Sequence, residues 1–252
     1  MQLTGAHVAV TGGGSGLGEA VARALAARGA KVSVIDRSAV NAARVADAIA
    51  GQPVTLDVTD AAAGAALDTA IAALGPLRGL VNCAGIGGAA RIVGREGPMD
   101  LDAFARTIQV NLIGTFNMLR LAAARMQTNE PDDDGARGAI VNTASVAAFD
   151  GQIGQAAYAA SKGGIVSLAL PAARELARFG IRVNTVAPGI FLTPLLAELP
   201  ADVQAGIAAS IPFPPRLGDP AEFADAALMC LTNSYLNAEV IRLDGGVRLP
   251  PK

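Results

Sequence analysis

The stretch AHVAVTGGGSGLG, residues 6–18, decides the fold. A short apolar β run is followed at once by a glycine-rich turn and then by a helical pattern that continues to about Arg28. Such a turn brings backbone N–H groups and a helix N-terminus together, where they can bind a phosphate. The spacing fits neither the G-x-G-x-x-G fingerprint nor a P-loop, because Leu17 and Glu19 stand where Gly and Lys are required. A tight turn with a purely structural role is the alternative.

The rest of the chain repeats this alternation of strand and helix. Further strands are predicted over residues 31–35, 54–56, 77–81, 139–143, 181–186 and 238–243, with helical patterns between them. The alternation favours an α/β fold with a doubly wound, parallel, seven-stranded sheet and helices on both faces. Ligands of such sheets bind at the carboxyl ends of the strands. No linker composition divides the chain, so residues 1–252 are expected to form a single domain.

Three of the predicted strand ends carry residues suited to a dinucleotide. Asp36 follows Gly18 by eighteen residues, where a carboxylate can accept both hydroxyls of an adenosine ribose and repel a 2′-phosphate. Asp57 suits an adenine amino group, and the small residues 82–85 let the backbone approach a ligand. The alternative is that each carboxylate caps the helix that follows it. Arg37, directly after Asp36, weakens the preference for NAD over NADP.

Residues 142–164, NTASVAAFDGQIGQAAYAASKGG, carry the predicted chemistry. Tyr158 and Lys162 are four residues apart and share one helix face, while Ser145 follows the end of a predicted strand. A phenol has a reference pKa near ~10, and an ammonium about 4 Å away stabilises its anion by roughly 4 kcal/mol. The serine can then hydrogen-bond a substrate oxygen. We interpret the trio as an acid/base site for a carbinol or carbonyl; a packed tyrosine beside a solvated lysine is the alternative.

Individual roles are predicted for three further residues and one segment. Asn111 lies inside the helical pattern over 101–126, where an amide can hold a kink or a water; a plain surface position is the alternative. Cys83 is expected to be present for its size, and His7, the only histidine, for a structural role. The proline-punctuated segment 190–218 is interpreted as a lid over the substrate, with its own short helix.

Composition argues against several classes of protein. The net charge is −2 without a Lys/Arg block, which does not favour nucleic acid or an anionic membrane as a partner. Two cysteines do not make a disulfide framework and favour a reducing compartment. No apolar run is predicted to span a bilayer, and no metal site is expected. Because a strand begins close to the N-terminus, no signal peptide is expected and the predicted location is the cytoplasm.

Together these motifs resemble those of the short-chain dehydrogenase/reductase family. The match lies in the T-G-x-x-x-G-x-G turn, the N-x-A-G segment, the helical Asn and the catalytic set, which are here residues 11–18, residues 82–85, Asn111, and Ser145, Tyr158 and Lys162. The resemblance covers the whole chain. The segments NTASVAAF, GQ-x-GQAAY, ASKGGIV and EVIRLDG are similar to the type II 3-hydroxyacyl-CoA dehydrogenases, also described as type 10 17β-hydroxysteroid dehydrogenases.

The resemblance implies a Rossmann-type fold, a homotetramer, NAD as cofactor and 3-hydroxyacyl-CoA thioesters as substrates. It assigns Ser145 to the substrate oxygen, Tyr158 and Lys162 to catalysis, and Asn111 to a water that relays the proton. Gln155 and lid residues 193–196 are expected to touch the acyl part. The motifs and the resemblance together predict cofactor contacts at Gly12, Ser15, Gly16, Leu17, Gly18, Asp36, Asp57, Val58, Asn82, Cys83, Ala84, Gly85, Tyr158, Lys162, Pro188, Gly189, Phe191 and Thr193.

The predicted function is therefore NAD-dependent interconversion of 3-hydroxyacyl-CoA and 3-oxoacyl-CoA. Alternatives among enzymes are a hydroxysteroid or other secondary-alcohol dehydrogenase and an NADPH-linked 3-oxoacyl carrier-protein reductase. The alternative of another class is a dinucleotide-binding scaffold without turnover. Arg91, Arg95 and Arg216 are candidates for binding the CoA phosphates, and Ile190 and Leu192 in the lid leave the acyl preference open.

Overall fold

Buried apolar strands form the centre of the molecule. The computed structural model describes residues 1–251, apart from the side chain of Leu195. In chain order the strands are β1 His7–Thr11, β2 Lys31–Asp36, β3 Gln52–Thr55, β4 Leu77–Asn82, the hairpin strands β5 Val93–Gly94 and β6 Gly97–Pro98, β7 Gly138–Thr143, β8 Ile181–Pro188 and β9 Val240–Leu243. Both β7 and β8 are buried at every position, as expected of parallel strands covered on two faces.

The main sheet has seven parallel strands in the order β3-β2-β1-β4-β7-β8-β9. The chain winds outward from β1 to β3, then returns to place β4 on the other side of β1. This reversal opens a crevice between the carboxyl ends of β1 and β4, because the connections leave in opposite directions there. The predicted doubly wound sheet of seven strands is confirmed.

Helices cover both faces of this sheet. They are α1 Gly16–Ala27, α2 Ala39–Ala48, α3 Ala63–Leu74, α4 Leu101–Ile108, α5 Gly114–Met126, α6 Ala156–Ala177, α7 Pro194–Ala197, α8 Ala201–Ala208 and α9 Pro220–Thr232. Helices α1, α2 and α9 pack on one face through residues such as Leu25 and Phe223. Helices α3, α5 and α6 pack on the other through residues such as Leu67 and Met118. The two apolar clusters fix the sheet, and with it the strand ends that carry the site.

The structure differs from the sequence-based prediction in three places. The helical pattern over 101–126 is broken by one π-helical turn, Gln109–Ile113, which joins α4 to α5. The β5–β6 hairpin was not predicted, because its two-residue strands are exposed or half-buried and show no apolar period. The lid contains two short helices, α7 and α8, rather than one.

His7 lies at the amino end of β1, where it is 2% exposed. Its Nδ1 is 2.8 Å from the Gly75 carbonyl oxygen and its Nε2 is 2.8 Å from Ser33 Oγ. A carbonyl only accepts, so Nδ1 carries the proton of the neutral ring and Nε2 accepts from the serine hydroxyl. Burial lowers the pKa of His7, with an opposing contribution from the Gly75 carbonyl. His7 thus joins three chain segments as a neutral ring.

Acidification is expected to destabilise the fold in a window set by His7. Because its pKa is lowered on folding, the unfolded chain binds the proton more readily once the pH falls below about 6.5. The contribution of His7 to stability is complete above that pH and is lost as the pH falls towards the folded-state pKa. With only one histidine in the sequence, the Tm of His7→Gln should fall less than that of the wild type between about pH 7 and 5.5. Equal losses would contradict this account.

Candidate active site

The turn between β1 and α1 needs glycine because backbone packs against backbone. Gly12 has a φ of +64°, and a Cβ placed on it would lie 2.8 Å from the Ala84 nitrogen. A Cβ on Gly18 would overlap the Gly12 carbonyl. Gly16 also has a positive φ, +54°. The turn therefore sits tightly under the N-terminus of α1, whose first N–H groups have no intrahelical partner and can bind a ligand.

Asp36 holds this turn from the end of β2. Its Oδ2 accepts from the Gly14 N–H at 3.1 Å and its Oδ1 from the Ser38 N–H at 2.9 Å. Each oxygen keeps a lone pair for a further donor. Ser38, not Asp36, is the N-cap of α2, since its Oγ accepts from the Asn41 N–H. The interpretation of Asp36 as a helix cap is therefore wrong.

Arg44 fastens the same turn from the side, a contact that the sequence did not reveal. Its Nη2 donates to the Gly14 carbonyl at 2.8 Å and pairs with Glu19 Oε2 at 2.6 Å. Glu19 also pairs with Arg23 on α1. The hydrogen bond from Arg44 is the main cause that lowers the pKa of Glu19. Helices α1 and α2 thus meet through a charged clamp over the glycine turn.

A cleft of about 650 Å³ opens at the carboxyl ends of β1, β2 and β4. Twelve predicted cofactor residues line it: Gly12, Ser15, Gly16, Leu17, Gly18, Asp36, Asp57, Val58, Cys83, Ala84, Gly85 and Thr193. Nine further lining residues were not predicted as cofactor contacts: Ile35, Arg37, Ser38, Asn41, Leu56, Ile86, Val110, Pro194 and Glu198. Most of these residues are neighbours of predicted ones or have side chains that belong to no motif. Only the folded structure reveals that they line the cleft.

Six predicted cofactor residues are not in the cleft wall: Asn82, Tyr158, Lys162, Pro188, Gly189 and Phe191. Asn82 is buried below it, where its Nδ2 donates to Asn142 Oδ1 at 3.0 Å and its Oδ1 accepts from Thr11 Oγ1 at 3.3 Å. Phe191 packs edge-on against Phe223, with ring centroids 6.2 Å apart. Both side chains support the cleft from behind, and their contact with a cofactor stays a prediction.

Asp57 lies exposed on the cleft rim. Its Oδ1 accepts from the Thr59 N–H at 2.9 Å and from Thr59 Oγ1 at 2.7 Å. These hydrogen bonds, and more weakly the charge of Arg37, lower its pKa. Helix α3 begins only at Ala63, with Ala62 as its N-cap, so the interpretation of Asp57 as the cap of that helix is wrong.

Lys162 and Tyr158 lie together on α6, facing the end of β7. Lys162 is 6% exposed, and its Nζ donates to the Thr143 carbonyl at 2.8 Å. The same Nζ is 5.7 Å from the centroid of the half-buried Tyr158 ring. The interpretation of Lys162 as a solvated surface charge is therefore wrong. A carbonyl occupies only one of the three ammonium hydrogens, which leaves donors for a ligand.

Ser145 begins the short 3₁₀ turn Val146–Ala148 directly after β7. Its side chain is buried, and its Oγ accepts from the Ala147 N–H at 3.1 Å. Because that bond uses a lone pair of the hydroxyl, the serine proton is free to be donated to another acceptor. The strand end thus presents a fixed hydroxyl donor near the helix that carries Tyr158 and Lys162.

Asn111 sits in the π-helical turn and is fully buried, so its interpretation as a surface residue is wrong. Its Oδ1 accepts from the Ile86 N–H at 2.8 Å, and its Nδ2 donates to the Ile86 carbonyl and to Ser161 Oγ, both at 3.0 Å. Ser161 Oγ in turn donates to the Tyr158 carbonyl at 2.7 Å. Asn111 therefore ties the segment after β4 to α6. The predicted water relay at Asn111 stays a prediction.

Cys83 lies in the cleft wall with its thiol shielded from water. That desolvation raises the pKa of Cys83 to about 11, against smaller opposing effects of Thr143 and Lys162. Thr143 Oγ1 donates to its Sγ at 3.5 Å. A protonated, enclosed thiol is a poor nucleophile, and this agrees with the prediction that Cys83 is present for its size.

The lid is closed at its base and reaches the cleft. Leu192 N–H donates to the Gly218 carbonyl at 2.8 Å, and Gly218 N–H donates to the Ile190 carbonyl at 2.9 Å. Thr193 and Pro194 line the cleft, while the side chain of Leu195, in the predicted acyl contact 193–196, lies outside the described residues. The chain therefore comes together at residues 190–192 and 218, and the role of the segment between them as a lid stays a prediction.

The other predicted substrate residues lie outside the cleft. Gln155 and Arg91 line a separate groove of about 600 Å³ between the β5–β6 hairpin and the segment before α6. Gln155 Oε1 accepts from the Gln152 N–H at 3.1 Å. In the lid, Arg216 forms an ion pair with Glu222 at 2.7 Å. Arg95 is exposed near the hairpin. Their contacts with a substrate stay predictions.

Two features are absent from residues 1–251. No group of three or more His, Cys, Asp or Glu side chains there is arranged to hold a metal ion. Nor does any helix of that range have the length and apolar character needed to cross a membrane.

Known proteins resemble the chain along almost its whole length. The family model described as short chain dehydrogenase matches residues 6–204. The "3-hydroxyacyl-CoA dehydrogenase type-2" of Bos taurus is 50% identical over 249 residues, 96% of this chain and 95% of the relative. The "Ipsdienol dehydrogenase" of Ips pini is 34% identical over 95% of each. A crystal structure of 3-hydroxyacyl-CoA dehydrogenase type-2 from Mycobacterium avium superposes with a TM-score of 0.95, at 47% identity and 98% coverage of each chain.

Both thiols are expected to resist alkylation in the folded protein. With a pKa of about 11 for Cys83, only about 0.1% of it is thiolate at pH 8, and the pKa of Cys230 is raised to about 11 by burial as well. Mass spectrometry after iodoacetamide should show unmodified native protein and two added groups after unfolding in guanidinium. Rapid modification of native Cys83 would show that its environment is open and polar instead.

Proposed function

The chain belongs to the short-chain dehydrogenase family and is a dehydrogenase; from this premise we propose that it interconverts 3-hydroxyacyl-CoA and 3-oxoacyl-CoA with NAD as its cofactor. The observation that carries the proposal is the buried ammonium of Lys162 beside Tyr158, next to a cleft built from a glycine turn and strand-end carboxylates. The substrate class is supported by the relatives named 3-hydroxyacyl-CoA dehydrogenase type-2, at about half identity over nearly the full length.

The residues of the cleft fit a dinucleotide. Side chains at Gly12 and Gly18 would collide with backbone, so glycine lets the turn pack closely under α1. The N–H groups of the first turn of α1, which lack intrahelical partners, would bind the pyrophosphate. Asp36 would hold the adenosine ribose through its remaining lone pairs, and Asp57 the adenine amino group. When bound, the nicotinamide supplies a hydride acceptor or donor, which no protein side chain provides.

Charge around the cleft favours NAD over NADP. Three carboxylates, those of Asp36, Asp57 and Glu198, line it against the single guanidinium of Arg37. Arg37 also lies close enough to Asp57 to lower the pKa of that carboxyl, so part of its charge is already balanced. An added 2′-phosphate would enter a region with a net excess of negative charge, and like charges at short range cost several kcal/mol.

The catalytic side chains have separable tasks. Ser145 donates its hydroxyl proton to the substrate oxygen, while the Ala147 N–H, bonded to one lone pair of Oγ, holds the hydroxyl in place. Tyr158 removes the proton of the hydroxyl group during oxidation and returns it during reduction. Lys162, held in a poorly solvated position by the Thr143 carbonyl, stabilises the phenolate through its charge. Asn111 fixes the segment after β4 against α6, and a water beside it would carry the proton outward.

The assembly and the location are part of the same proposal. Exposed apolar side chains on two helices, Ile113 and Phe116 at the start of α5 and Leu170 on α6, support burial against further copies in a homotetramer. Two free cysteines, Cys83 and Cys230, support a reducing compartment such as the cytoplasm. Arg91, exposed beside the groove next to Gln155, is the basic residue best placed for a CoA phosphate outside the cleft.

A second candidate is oxidation of another secondary alcohol. It is favoured by the similarity to the ipsdienol dehydrogenase of Ips pini, at 34% identity. Ser145, Tyr158 and Lys162 act on the carbinol group alone, so the same chemistry applies to both classes of substrate. Comparing kcat/KM for acetoacetyl-CoA with that for simple secondary alcohols separates the two candidates.

Tyr158→Phe is expected to abolish turnover without abolishing cofactor binding. Loss of the proton donor and acceptor should lower kcat for reduction of acetoacetyl-CoA by at least about 100-fold. Tyr235→Phe is the matched control, because Tyr235 is the only other tyrosine and is fully exposed. NADH titration followed by fluorescence should give similar Kd values for all three proteins. Retention of most activity by Tyr158→Phe would remove Tyr158 from this role.

Asp36→Asn tests the preference for NAD. The amide keeps an acceptor oxygen for the turn but loses the charge, so kcat/KM with NADPH relative to NADH should rise by at least about tenfold. Asp47→Asn removes an exposed charge from α2 and should leave that ratio unchanged. An unchanged ratio in Asp36→Asn, measured with acetoacetyl-CoA, would mean that Asp36 does not discriminate between the cofactors.

A further inference from the structure

Arg242 on β9 forms an ion-pair network that neither the motifs nor the proposed mechanism uses. Its Nη2 and Nη1 lie 2.6 and 3.3 Å from the two carboxylate oxygens of Asp150, and its Nε lies 2.8 Å from Asp244 Oδ2. The side chains of Asp150 and Asp244 are only 15% and 9% exposed, and that of Arg242 is 21% exposed. Bidentate pairs in such shielded positions are stronger and more directional than ordinary surface pairs.

One side of this network is the loop that follows Ser145. Asp150 lies on that loop, five residues beyond the serine, and the Arg242 guanidinium also stacks 5.0 Å from the centroid of the Phe149 ring. Further along, Ile153 N–H donates to the Pro251 carbonyl at 2.9 Å. The loop between Ser145 and α6 is therefore held by the guanidinium of Arg242 on β9 and by backbone carbonyls of the chain that follows β9.

The other side of the network is the base of the lid. The Leu243 carbonyl accepts from the Gly189 N–H at 2.8 Å, directly before the lid begins. The Gly245 carbonyl accepts from the Phe213 N–H at 3.1 Å, within the lid. A Cβ on Gly189 would lie 2.8 Å from the Cα of Asp244, so the lid base packs on this turn without space between them. Residues 243–246, which carry Asp244, thus hold two points of the lid.

We propose that Arg242 is a positioning residue of the dehydrogenase: through Asp150 and Asp244 it couples the seat of the lid to the loop that orients Ser145. A lid displaced from its seat then displaces the serine hydroxyl, and a serine loop whose Asp150 is freed from Arg242 loosens the lid. The inference rests on the proposed function only because its kinetic test uses the proposed substrate class, in the form of acetoacetyl-CoA. The connection itself is independent of the substrate, because it is made of contacts among the protein's own residues.

The test compares Arg242→Gln with Arg125→Gln. Arg125 is matched in exposure, at 21%, and in its bidentate ion pair, with Asp68, but it joins α5 to α3 away from the lid. For acetoacetyl-CoA, Arg242→Gln should raise KM and lower kcat, with a combined loss of roughly 10- to 100-fold in kcat/KM. Arg125→Gln should stay within about threefold of the wild type. The Kd for NADH should be unchanged in Arg125→Gln. In Arg242→Gln it should rise by less than kcat/KM falls, because the lid contributes only Thr193, Pro194 and Glu198 to the cofactor cleft.

Hydrogen–deuterium exchange supplies a readout that does not need turnover. In Arg242→Gln, amides of residues 145–155 and of residues 189–191 should both exchange faster, whereas Arg125→Gln should leave both segments unchanged. Arg242→Lys keeps the charge without the fork and should recover part of both effects. If Arg242→Gln fails to fold, Asp150→Asn removes one side of the network and should loosen both segments in the same way.

The outcomes decide separately on the two proposals. A wild-type protein that does not turn over acetoacetyl-CoA rejects the proposed substrate, and the exchange experiment still decides on Arg242. A fall in kcat alone, with KM and exchange unchanged, means only a loss of active protein and overturns the positioning role. Faster exchange in the serine loop without any change at residues 189–191 overturns the coupling to the lid.

Discussion

The buried ammonium of Lys162 is the interaction on which the site depends. It is costly to keep a charge at 6% exposure, and the fold compensates with the Thr143 carbonyl at the end of β7. The position requires β7 and α6 to meet at this point, while Asn111 holds α6 against the segment after β4 by joining Ile86 and Ser161. The π-helical turn and the strand end therefore serve one purpose, which is to bring a cation beside the Tyr158 ring.

The cofactor cleft follows from a second constraint, the close approach of backbone to backbone. Gly12 and Gly18 allow β1, α1 and the segment after β4 to meet without side chains between them. Asp36 and Arg44 then hold the glycine turn from two sides, at the Gly14 N–H and the Gly14 carbonyl. Of these two residues, Asp36 also lines the cleft, so it both shapes the turn and adds a negative charge to the cleft wall.

The fold and the ends of its strands were predictable because they rest on local patterns. Alternating apolar runs mark the seven strands, and motif residues such as Asp36 and Ser145 occur where those runs stop. The unpredicted features depend on partners distant in sequence: Arg44 with Glu19 across 25 residues, and Arg242 with Asp150 across 92. The π-helical turn was hidden because one extra residue hardly disturbs a helical pattern. Spacing therefore located the reacting groups, whereas the contacts that hold them in place required the folded chain.

The central claim is that a cation beside Tyr158 drives the chemistry, and chemical rescue tests it most directly. At the 5.7 Å between Lys162 Nζ and the Tyr158 ring centroid, and an effective dielectric near 20, the charge is worth about 3 kcal/mol. Removing it in Lys162→Ala should slow reduction of acetoacetyl-CoA by roughly 100-fold or more. Added n-propylamine, protonated and small enough to occupy the vacated volume, should restore a substantial part of the rate, and uncharged n-propanol should not. Full activity of Lys162→Ala, or equal rescue by the neutral molecule, would contradict the account.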